Sequence, residues 1–372
     1  MKTYILSENL QKKLPFLTRI ISQRSQLPIL LNFLLEVKNG KARISATDLE
    51  IGAQIEIPAN VEKEGETTVP AKIFSELLGS LPQEKISLWQ EENTLWVAGK
   101  KTKTSFQTIQ ANEFPKLYKE KGEEILETTG EQLKQMFGPV LFSASLDMGR
   151  PALSGVLIKK EENKSQLVAT DGYRLSLKKT TLQTKLKKEE KEEVLIPARI
   201  LREILAVAQE DKTVTLSLSK ENNQVFFLQE DLVLVGRIIE AEFPNFEKII
   251  PADFSTQALF DREEMQKAVK ICSIFARDAA NIVRLSLKKD KIVVSANAPS
   301  VGENTVEVEL KLEGEENEIA FNARYLLDLL GNLEDERLVF EMSGPLSPGV
   351  FKIEGDDSFL HLIMPIRVQA EQ

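Results

Sequence analysis

One short segment occurs three times along this chain at a nearly constant spacing. Pro-Ala-Lys-Ile-Phe-Ser-Glu-Leu-Leu at 70–78 returns in similar form at 197–205 and at 322–330. The repeat distance is 127 residues from Ala71 to Ala198 and 125 residues from Ala198 to Ala323. Solenoid and propeller units are much shorter, at roughly 20 to 50 residues. The period therefore predicts three copies of one domain.

The same order of patterns fills each third of the chain. An apolar run with helical spacing comes first, at 10–21, 133–142 and 265–275. Two strand-like runs follow, and in the first third they are Ile29–Val37 and Ala42–Ala46. They are joined by Asn39-Gly40, a strong hairpin signal because both residues accept positive φ. The repeated segment and further alternating strands complete the third. We predict an α+β fold of three similar domains, each of two helix-plus-strands halves, at 1–123, 124–252 and 253–372.

Composition places the chain among soluble globular proteins. The 372 residues are 42% hydrophobic and suit two or three domains. No apolar run approaches the ~18 residues of a membrane span, and the first residues lack the apolar core of a signal peptide. The single cysteine, Cys272, rules out an internal disulfide and is expected to be buried. We therefore expect a cytoplasmic protein.

The charge distribution matters more than the net charge of −9. Acidic residues concentrate in connecting stretches, whereas residues 8–24 carry four cations against the single Glu8. A cation also stands near the start of each repeated helix, where the helix dipole disfavours positive charge. These cations are Lys72, Arg199 and Arg324. Their recurrence favours a shared anionic partner, and three solvated cations remain the alternative.

Residues for catalysis are almost absent. The only histidine, His361, stands in an apolar strand-like tail, and the usual zinc ligand sets cannot be assembled from one histidine and one cysteine. No phosphate-binding glycine loop is present. Thr170-Asp171-Gly172 and its counterpart Thr47-Asp48-Leu49 are typical of structural turns. We therefore predict no catalytic residue, no cofactor and no metal.

At this point the residues resemble a known family, the β subunits of bacterial DNA polymerase III, which are DNA sliding clamps. The resemblance runs the whole length and follows motifs in a fixed order. They are Leu27-Pro28-Ile29-Leu30, Ala46-Thr47-Asp48-Leu49-Glu50, 168–175, Glu242-Phe243-Pro244-Asn245-Phe246 and Met364-Pro365-Ile366-Arg367-Val368. The family usually ends near Val368, so Gln369–Gln372 form an extra tail beside a site described next.

The resemblance implies a non-enzymatic processivity factor. Two chains would join head to tail in a six-domain ring that encircles duplex DNA without reading its sequence. The implied dimer contact packs Ile274 and Phe275 against the region of Phe106. The implied phosphate contacts are Arg24, Lys72, Arg150, Arg199 and Arg324. The implied partners are the replicative polymerase, the clamp loader and repair proteins, with no membrane.

The resemblance also implies a peptide-binding cleft between the second and third domains. Its residues are Leu153, Thr170, Gly172, Tyr173, Arg174, Leu175, Pro244, Lys248, Ile249, Leu346, Pro348, Leu362, Ile363, Met364, Pro365, Ile366 and Arg367. We expect Leu175, Ile249, Leu362 and Met364 to wall the pocket and Arg174 to donate to the peptide. The family often has His at position 173, so Tyr173 predicts little pH dependence of binding near neutrality. Residues 362–366 alone also suit a core strand.

Two other functions remain open from the residues alone. The first is a cytosolic scaffold of repeated domains that binds proteins but not DNA. Retention on circular compared with linear DNA separates it from a clamp. The second is a hydrolase that uses His361, and replacing His361 without any loss of DNA retention would remove it.

Overall fold

The computed structural model describes residues 1–22, 25–161, 164–181 and 193–367. The chain forms two compact units, one of residues 1–132 with 202–238 and the other of residues 133–201 with 239–372. The described residues contain six α-helices: α1 (Ser7–Ile20), α2 (Ala71–Ser80), α3 (Gly130–Leu141), α4 (Ala198–Val207), α5 (Arg262–Ala276) and α6 (Ala323–Asn332). Helices α2, α4 and α6 are the repeated segment, each ten residues long. The predicted helices are confirmed.

The first unit contains two antiparallel sheets. The smaller sheet has, in spatial order, β5 (Asn60–Lys63), β1 (Lys2–Leu6), β7 (Lys85–Glu91), β8 (Thr94–Ala98) and β9 (Lys103–Gln107). The larger sheet has the order β10 (Glu123–Thr129), β15 (Thr213–Ser219), β16 (Gln224–Gln229), β17 (Leu232–Arg237), β4 (Ile51–Pro58), β3 (Lys41–Thr47), β2 (Asn32–Lys38) and β6 (Gly65–Pro70). A short 3₁₀ helix, Ala111–Glu113, begins the segment after β9.

Helices α1 and α2 of the first unit pack against each other. Leu10, Leu14 and Leu17 of α1 are buried. The Gln11 Nε2 amide donates to the carbonyls of Leu78 and Leu81, at 2.8 Å each. These bonds add to the Leu81 N–H that caps the Leu78 carbonyl and tie α1 to the C-terminal end of α2, where helix carbonyls lack intrahelical partners.

The small sheet carries both tryptophans of the chain on neighbouring strands. Trp89 of β7 stacks on Trp96 of β8 with ring centroids 6.0 Å apart. The Lys103 ammonium of β9 lies 4.4 Å from the Trp96 ring centre. Cations are attracted to the face of an indole ring, so the pair is held beside the last strand of this sheet.

Most hairpin predictions hold, with one correction. Asn39 and Gly40 have φ of 51° and 74°, which confirms the tight turn between β2 and β3. The strand predicted from Ile29, however, begins only at Asn32, because Pro28–Leu31 form a 3₁₀ helix. Proline favours the first turn of a helix, so Pro28 starts a helical turn where apolarity alone indicated a strand.

The second unit is built on one twelve-stranded sheet. Its order is β14 (Glu193–Pro197), β11 (Gly155–Glu161), β12 (Lys164–Thr170), β13 (Arg174–Thr180), β25 (Asp356–Ile363), β24 (Gly349–Ile353), β23 (Arg337–Met342), β18 (Thr256–Asp261), β21 (Gly302–Gly314), β20 (Lys291–Ala298), β19 (Ile282–Leu287) and β22 (Asn317–Asn322). Two 3₁₀ helices, Pro151–Leu153 and Glu247–Ile249, lie in its loops.

The helices of the second unit repeat the contact seen in the first. The Arg262 side chain at the start of α5 donates to the carbonyl of Leu330 in the last turn of α6 and to that of Asp335 just after the helix, at 2.9 Å each. Cys272 is fully buried on α5, as predicted, and burial raises the pKa of its thiol to about 11. None of the helices in the described ranges is long and apolar enough to cross a membrane.

Two large sheets join strands from consecutive repeats. In the first unit β17, the last strand of the second repeat, pairs with β4 of the first repeat. In the second unit β25, the last strand of the third repeat, pairs with β13 of the second. Strands β4 and β13 occupy the same place in their repeats, directly after the Thr-Asp turn. The same junction is therefore built twice, and the exact domain borders remain a prediction.

Candidate functional site

The candidate site is centred on the turn that leads into β13. Thr170 Oγ1 donates to the Arg174 carbonyl at 2.6 Å and accepts from the Gly172 N–H at 3.0 Å. Asp171 Oδ1 accepts from the N–H groups of Tyr173 and Arg174, at 2.9 and 3.0 Å. Gly172 has φ of 92°, a conformation that glycine adopts without strain. Thr170 and Asp171 thus shape the turn and hold Tyr173 outward, where it is exposed.

Arg174 is buried and braced from several sides. Its Nε donates to Asp171 Oδ2 at 3.0 Å and its Nη1 to Asp328 Oδ2 of α6 at 2.6 Å. Its Nη2 donates to the Phe142 carbonyl at 2.8 Å. The guanidinium also lies 4.7 Å from the ring centre of Tyr325. Three of the five N–H donors of the guanidinium are therefore engaged within the chain, and the donation from Arg174 to a partner peptide stays a prediction.

The floor of the site is an apolar cluster, and its rim is exposed. Leu175 and Leu362 are both buried, in a cluster with Leu157, Val168, Leu177, Leu195, Phe246 and Val350. By contrast Ile249 is 46% exposed and Met364 is 40% exposed. The Met364 N–H donates to the Tyr173 carbonyl at 2.8 Å, which extends the β13–β25 pairing to the rim. Leu175 and Leu362 therefore form the buried floor beneath the rim, and their contact with a partner peptide stays a prediction.

The other predicted cleft residues lie at several depths in this unit. Ile363 is buried in β25; Leu153, Pro348, Pro365 and Ile366 are half-buried; Pro244, Lys248, Leu346 and Arg367 are exposed. A Cβ placed on Gly172 would lie 3.9 Å from Leu153 Cδ1, so Leu153 borders the turn. Pro348 lines a separate cavity of about 60 Å³ together with Phe254. The tail Gln369–Gln372 lies outside the described residues.

His361 is a core residue, as its strand position predicts. It is fully buried in β25, and its Nδ1 lies 2.7 Å from Ser176 Oγ, which in turn lies 2.7 Å from Ser143 Oγ. Desolvation, and secondarily the charge of Arg174, lower the pKa of His361 well below its usual value of 6.5. A buried neutral imidazole cannot reach a substrate from this position, which argues against the hydrolase alternative.

Comparison with protein families decides what the whole chain is. Family models of the DNA polymerase III β subunit match it in three consecutive parts: the N-terminal domain at residues 1–118, the central domain at 127–245 and the C-terminal domain at 247–367. The chain belongs to the DNA polymerase III β subunit family. It is a DNA sliding clamp, a processivity factor of DNA replication and not an enzyme.

Individual relatives are similar over their full length. The β sliding clamp of Synechococcus elongatus is 28% identical over 378 residues, covering 100% of both chains. The crystal structure of the β subunit from Thermotoga maritima has a TM-score of 0.89 and 28% identity, covering 99% of this chain and 100% of that chain. The sliding clamp of Bartonella birtlesii bound to griselimycin has a TM-score of 0.93 and 25% identity, with the same coverage. The predicted three-domain α+β clamp fold is confirmed.

The predicted DNA contacts of the clamp fall into three groups. Lys72, Arg199 and Arg324 are each the second residue of their helix, and each is exposed. Arg150 stands elsewhere: it forms an ion pair with Asp147 at 3.2 Å, and its Nη1 lies 3.5 Å from where a Gly172 Cβ would be. Arg150 therefore borders the cleft. Arg24 lies outside the described residues.

The residues of the predicted dimer contact differ in burial. Phe106 is buried in β9 and packs edge-on against Phe74, with ring centroids 5.7 Å apart. Ile274 is 57% exposed, and Ile271 one turn earlier is also exposed. Phe275, by contrast, packs against the core of its own unit. Ile271 and Ile274 are thus the exposed isoleucines of α5 and Phe275 is half-buried, and the contact of Ile274 and Phe275 with the region of Phe106 stays a prediction.

Several residues of the site were missed from the sequence. Asp328 and Tyr325 brace Arg174 from about 150 positions away along the chain (154 for Asp328), so no local pattern marks them. Val350 joins the floor cluster through the β24–β25 pairing. Phe246 could have been found, because it belongs to the Glu-Phe-Pro-Asn-Phe motif and is among the few buried residues of that loop.

Proposed function

We propose that two copies of this clamp close head to tail into a ring around duplex DNA in the cytoplasm, where the ring holds the polymerase, the clamp loader and repair proteins through the cleft beside the Thr170–Arg174 turn. The observation that carries the ring is a pair of open strands. The junction between a last strand and the strand after a Thr-Asp turn is made twice within the chain, by β17 with β4 and by β25 with β13. A third junction of this kind would need the last strand of the first repeat to pair with the equivalent strand of the third repeat, and in a ring that strand comes from a second chain.

The two strands left over are β9 and β21. In the described residues β9 pairs only with β8, and residues 302–309 of β21 pair only with β20. Strand β9 is the last strand of the first repeat, and β21 corresponds to β4 and β13. Open edges of this kind are templates for strand addition. Lys103 on β9 and Glu303 on β21 are both exposed, and their opposite charges favour pairing between two chains.

The ring is tested by removing the exposed pair on α5. Burying an isoleucine side chain contributes about 1.5 to 3 kcal/mol, and each ring has two such interfaces. Replacing Ile271 and Ile274 by Ser should therefore give folded monomers at micromolar concentration in sedimentation experiments. Leu146→Ser, at a residue that is 75% exposed, is the matched control and should stay dimeric. A double variant that sediments as a dimer would disprove this contact.

Encirclement of DNA is tested by retention on closed circles. The clamp, placed on DNA by a clamp loader, should stay on circular duplex and slide off linear duplex. Neutralising Lys72, Arg199 and Arg324 should weaken retention on any sequence and lower the slope of its salt dependence by about one per lost phosphate contact. Lys38→Gln, at an exposed lysine on a hairpin, should change neither. Equal retention on circles and linear DNA would disprove encirclement, and no retention on either would favour the scaffold alternative.

The cleft is tested at its rim. Tyr173, Ile249 and Met364 offer exposed apolar surface above the buried floor, which suits a leucine or phenylalanine anchor of a partner peptide. Met364→Asp would bury an unpaired carboxylate on binding, a penalty of several kcal/mol. Calorimetric titration with a peptide that contains Leu-Phe should show binding to wild type and to Leu6→Asp but not to Met364→Asp. Unchanged affinity of Met364→Asp would place the peptide site elsewhere.

A further inference from the structure

The first unit contains a second turn of the same construction as the cleft turn. Thr47 Oγ1 donates to the Ile51 carbonyl at 2.8 Å and accepts from the Leu49 N–H at 3.0 Å. Asp48 Oδ1 accepts from the N–H groups of Glu50 and Ile51, at 3.0 and 2.9 Å. Every bond has its equivalent in the turn at Thr170–Arg174. The first unit therefore repeats the backbone frame of the peptide cleft.

The loop that faces this frame is also repeated. Glu113-Phe114-Pro115 in the first unit matches Glu242-Phe243-Pro244, which contributes Pro244 to the cleft. Phe114 is buried, and Gln224 Nε2 donates to the Leu117 carbonyl at 2.9 Å. Phe114 packs against Ile29 and Leu30, and the Gln224 bond together with the packing of Leu117 on Val235 holds the loop against β16 and β17.

Between this turn and this loop lies a cavity of about 210 Å³. Its walls include Thr47, Leu49, Gly52, Leu117, Val235 and Gly236. The register of each turn with its strand makes Gly52 the counterpart of Leu175 and Gly236 the counterpart of Ile363. Of these two counterparts only Leu175 belongs to the cleft floor, and at Gly52 an added Cβ would lie 2.8 Å from Leu117 Cδ2, so Leu117 of the loop borders the cavity there. A cavity of about 150 Å³ accommodates a benzene molecule, so this one has room for a leucine or phenylalanine side chain.

The rim of the cavity holds a leucine in a strained conformation. Leu49 has φ of 80°, close to the value of Gly172 in the other turn, and its side chain is 45% exposed. A branched side chain at positive φ is strained by about 1 to 2 kcal/mol, and glycine would relieve it. Strained residues that are also exposed concentrate at binding sites. Leu49 is placed to cover an apolar group that enters the cavity.

The cavity also has a cationic side. Lys116 and Arg237 line it and are exposed, and within the described part of the chain neither has an ion-pair partner. Glu50 is the one acidic residue among the lining residues, and its carbonyl accepts from the Arg237 N–H at 3.2 Å. Two cations against one carboxylate favour a ligand with negative charge next to its apolar group.

We propose that this cavity is a second peptide-binding site, which takes an extended segment with a leucine-sized side chain followed by a carboxylate side chain. The choice of a peptide as ligand rests on the proposed function of the cleft, whose backbone frame the cavity repeats. The apolar side chain enters between Leu49, Leu117 and Val235, and the carboxylate lies between Lys116 and Arg237. The ligand differs from that of the cleft, where Tyr173 and Met364 occupy the positions of Glu50 and Arg237.

The test uses the dimeric clamp labelled with ¹³C in the methyl groups of Leu, Val and Met. The probe is the peptide acetyl-Ala-Leu-Asp-Ala-amide, and acetyl-Ala-Leu-Asn-Ala-amide is its uncharged match. Addition of the Asp peptide should shift the methyl signals of Leu49, Leu117 and Val235. The Met364 methyl signal reports separately on the cleft, so failure at one site is distinguished from failure at the other.

Variants then decide whether the contacts are those proposed. Arg237→Gln and Lys116→Gln should each weaken binding of the Asp peptide at least threefold and leave the Asn peptide unaffected. Lys119→Gln, in the same loop but outside the cavity, is the matched control and should bind both peptides as wild type does. Leu49→Gly should weaken both peptides. Shifts confined to Met364, or an Asp peptide that binds the Arg237→Gln variant as well as wild type, would overturn the proposal.

Discussion

The turns at Thr47–Ile51 and Thr170–Arg174 have the same backbone and opposite surroundings. In both, a threonine and an aspartate satisfy the same N–H and carbonyl groups. The last residue of the turn is the buried Ile51 in one unit and the buried Arg174 in the other. The hydrogen bonds of the threonine and aspartate therefore determine the shape of the turn, whereas the side chain of Ile51 or Arg174 determines whether packing or ion pairs anchor it.

The difference has energetic consequences. Ile51 is 3% exposed and contributes through apolar burial, which depends little on any single partner. Arg174 depends on two carboxylates and a carbonyl from three separate segments. Removal of one member of a buried ionic network leaves the others uncompensated. The second unit is thus more sensitive to single changes at its turn than the first.

The largest expected effect comes from removing the charged side chain. Arg174→Met should lower the free energy of unfolding by about 3 kcal/mol, because Asp171 and Asp328 lose their cation. Ile51→Met, the matched change in the other turn, should cost less than about 1.5 kcal/mol. Urea denaturation followed by circular dichroism measures both. Equal losses would show that the ionic bracing of Arg174 adds nothing over packing.

The next largest effect is a pH dependence of stability that arises in the second unit, which contains the only histidine, His361. The folded pKa of His361 is depressed, so the unfolded chain binds a proton near pH 6.5 that the folded chain does not. Its contribution to stability is therefore complete above pH 6.5 and is lost as pH falls, by up to about 1.4 kcal/mol per pH unit. Denaturation between pH 7.5 and 5.5 should show this slope in wild type. His361→Gln should flatten it, and an unchanged slope would assign it to other groups.

The smallest expected effect is on stability at the equivalent positions Gly172 and Leu49, where matched substitutions should act in different directions. Gly172→Ala should destabilise by about 1 kcal/mol, since it places a Cβ at positive φ. Leu49→Gly should be neutral or slightly stabilising, because the strain it relieves offsets the added freedom of the unfolded chain. Thermal unfolding compares the two. A clear loss of stability in Leu49→Gly would mean that the Leu49 side chain contributes to packing and is not held for a ligand.

The sequence predicted what depends on periodicity and on local hydrogen bonds. The repeated helix was found from three copies of nine residues, and the Asn39-Gly40 turn from its need for positive φ. The prediction failed at Ile29–Leu31, where Pro28 directs a helical turn.

The residues of the site were predicted from family motifs, and the structure adds how deeply each of them is buried. Family motifs brought the cleft residues to one unit, yet they did not show that Leu175 and Leu362 are buried or that Arg174 is bound to Asp171, Asp328 and the Phe142 carbonyl. The partners of Arg174 come from distant segments that only the fold brings together. The Glu-Phe-Pro motif at 113–115 was readable as a second copy and would have pointed to the cavity of the first unit.

The stacked tryptophans make the small sheet its own optical reporter. Trp89 and Trp96 are the only tryptophans in the chain, so the indole emission of the whole protein comes from β7 and β8. Lys103 of β9 covers Trp96, and β9 is the strand proposed to receive a second chain. An event at that edge therefore changes the light the protein emits without any added label. The twelve-stranded sheet, by contrast, contains no tryptophan, so its unfolding is not reported by an indole of its own.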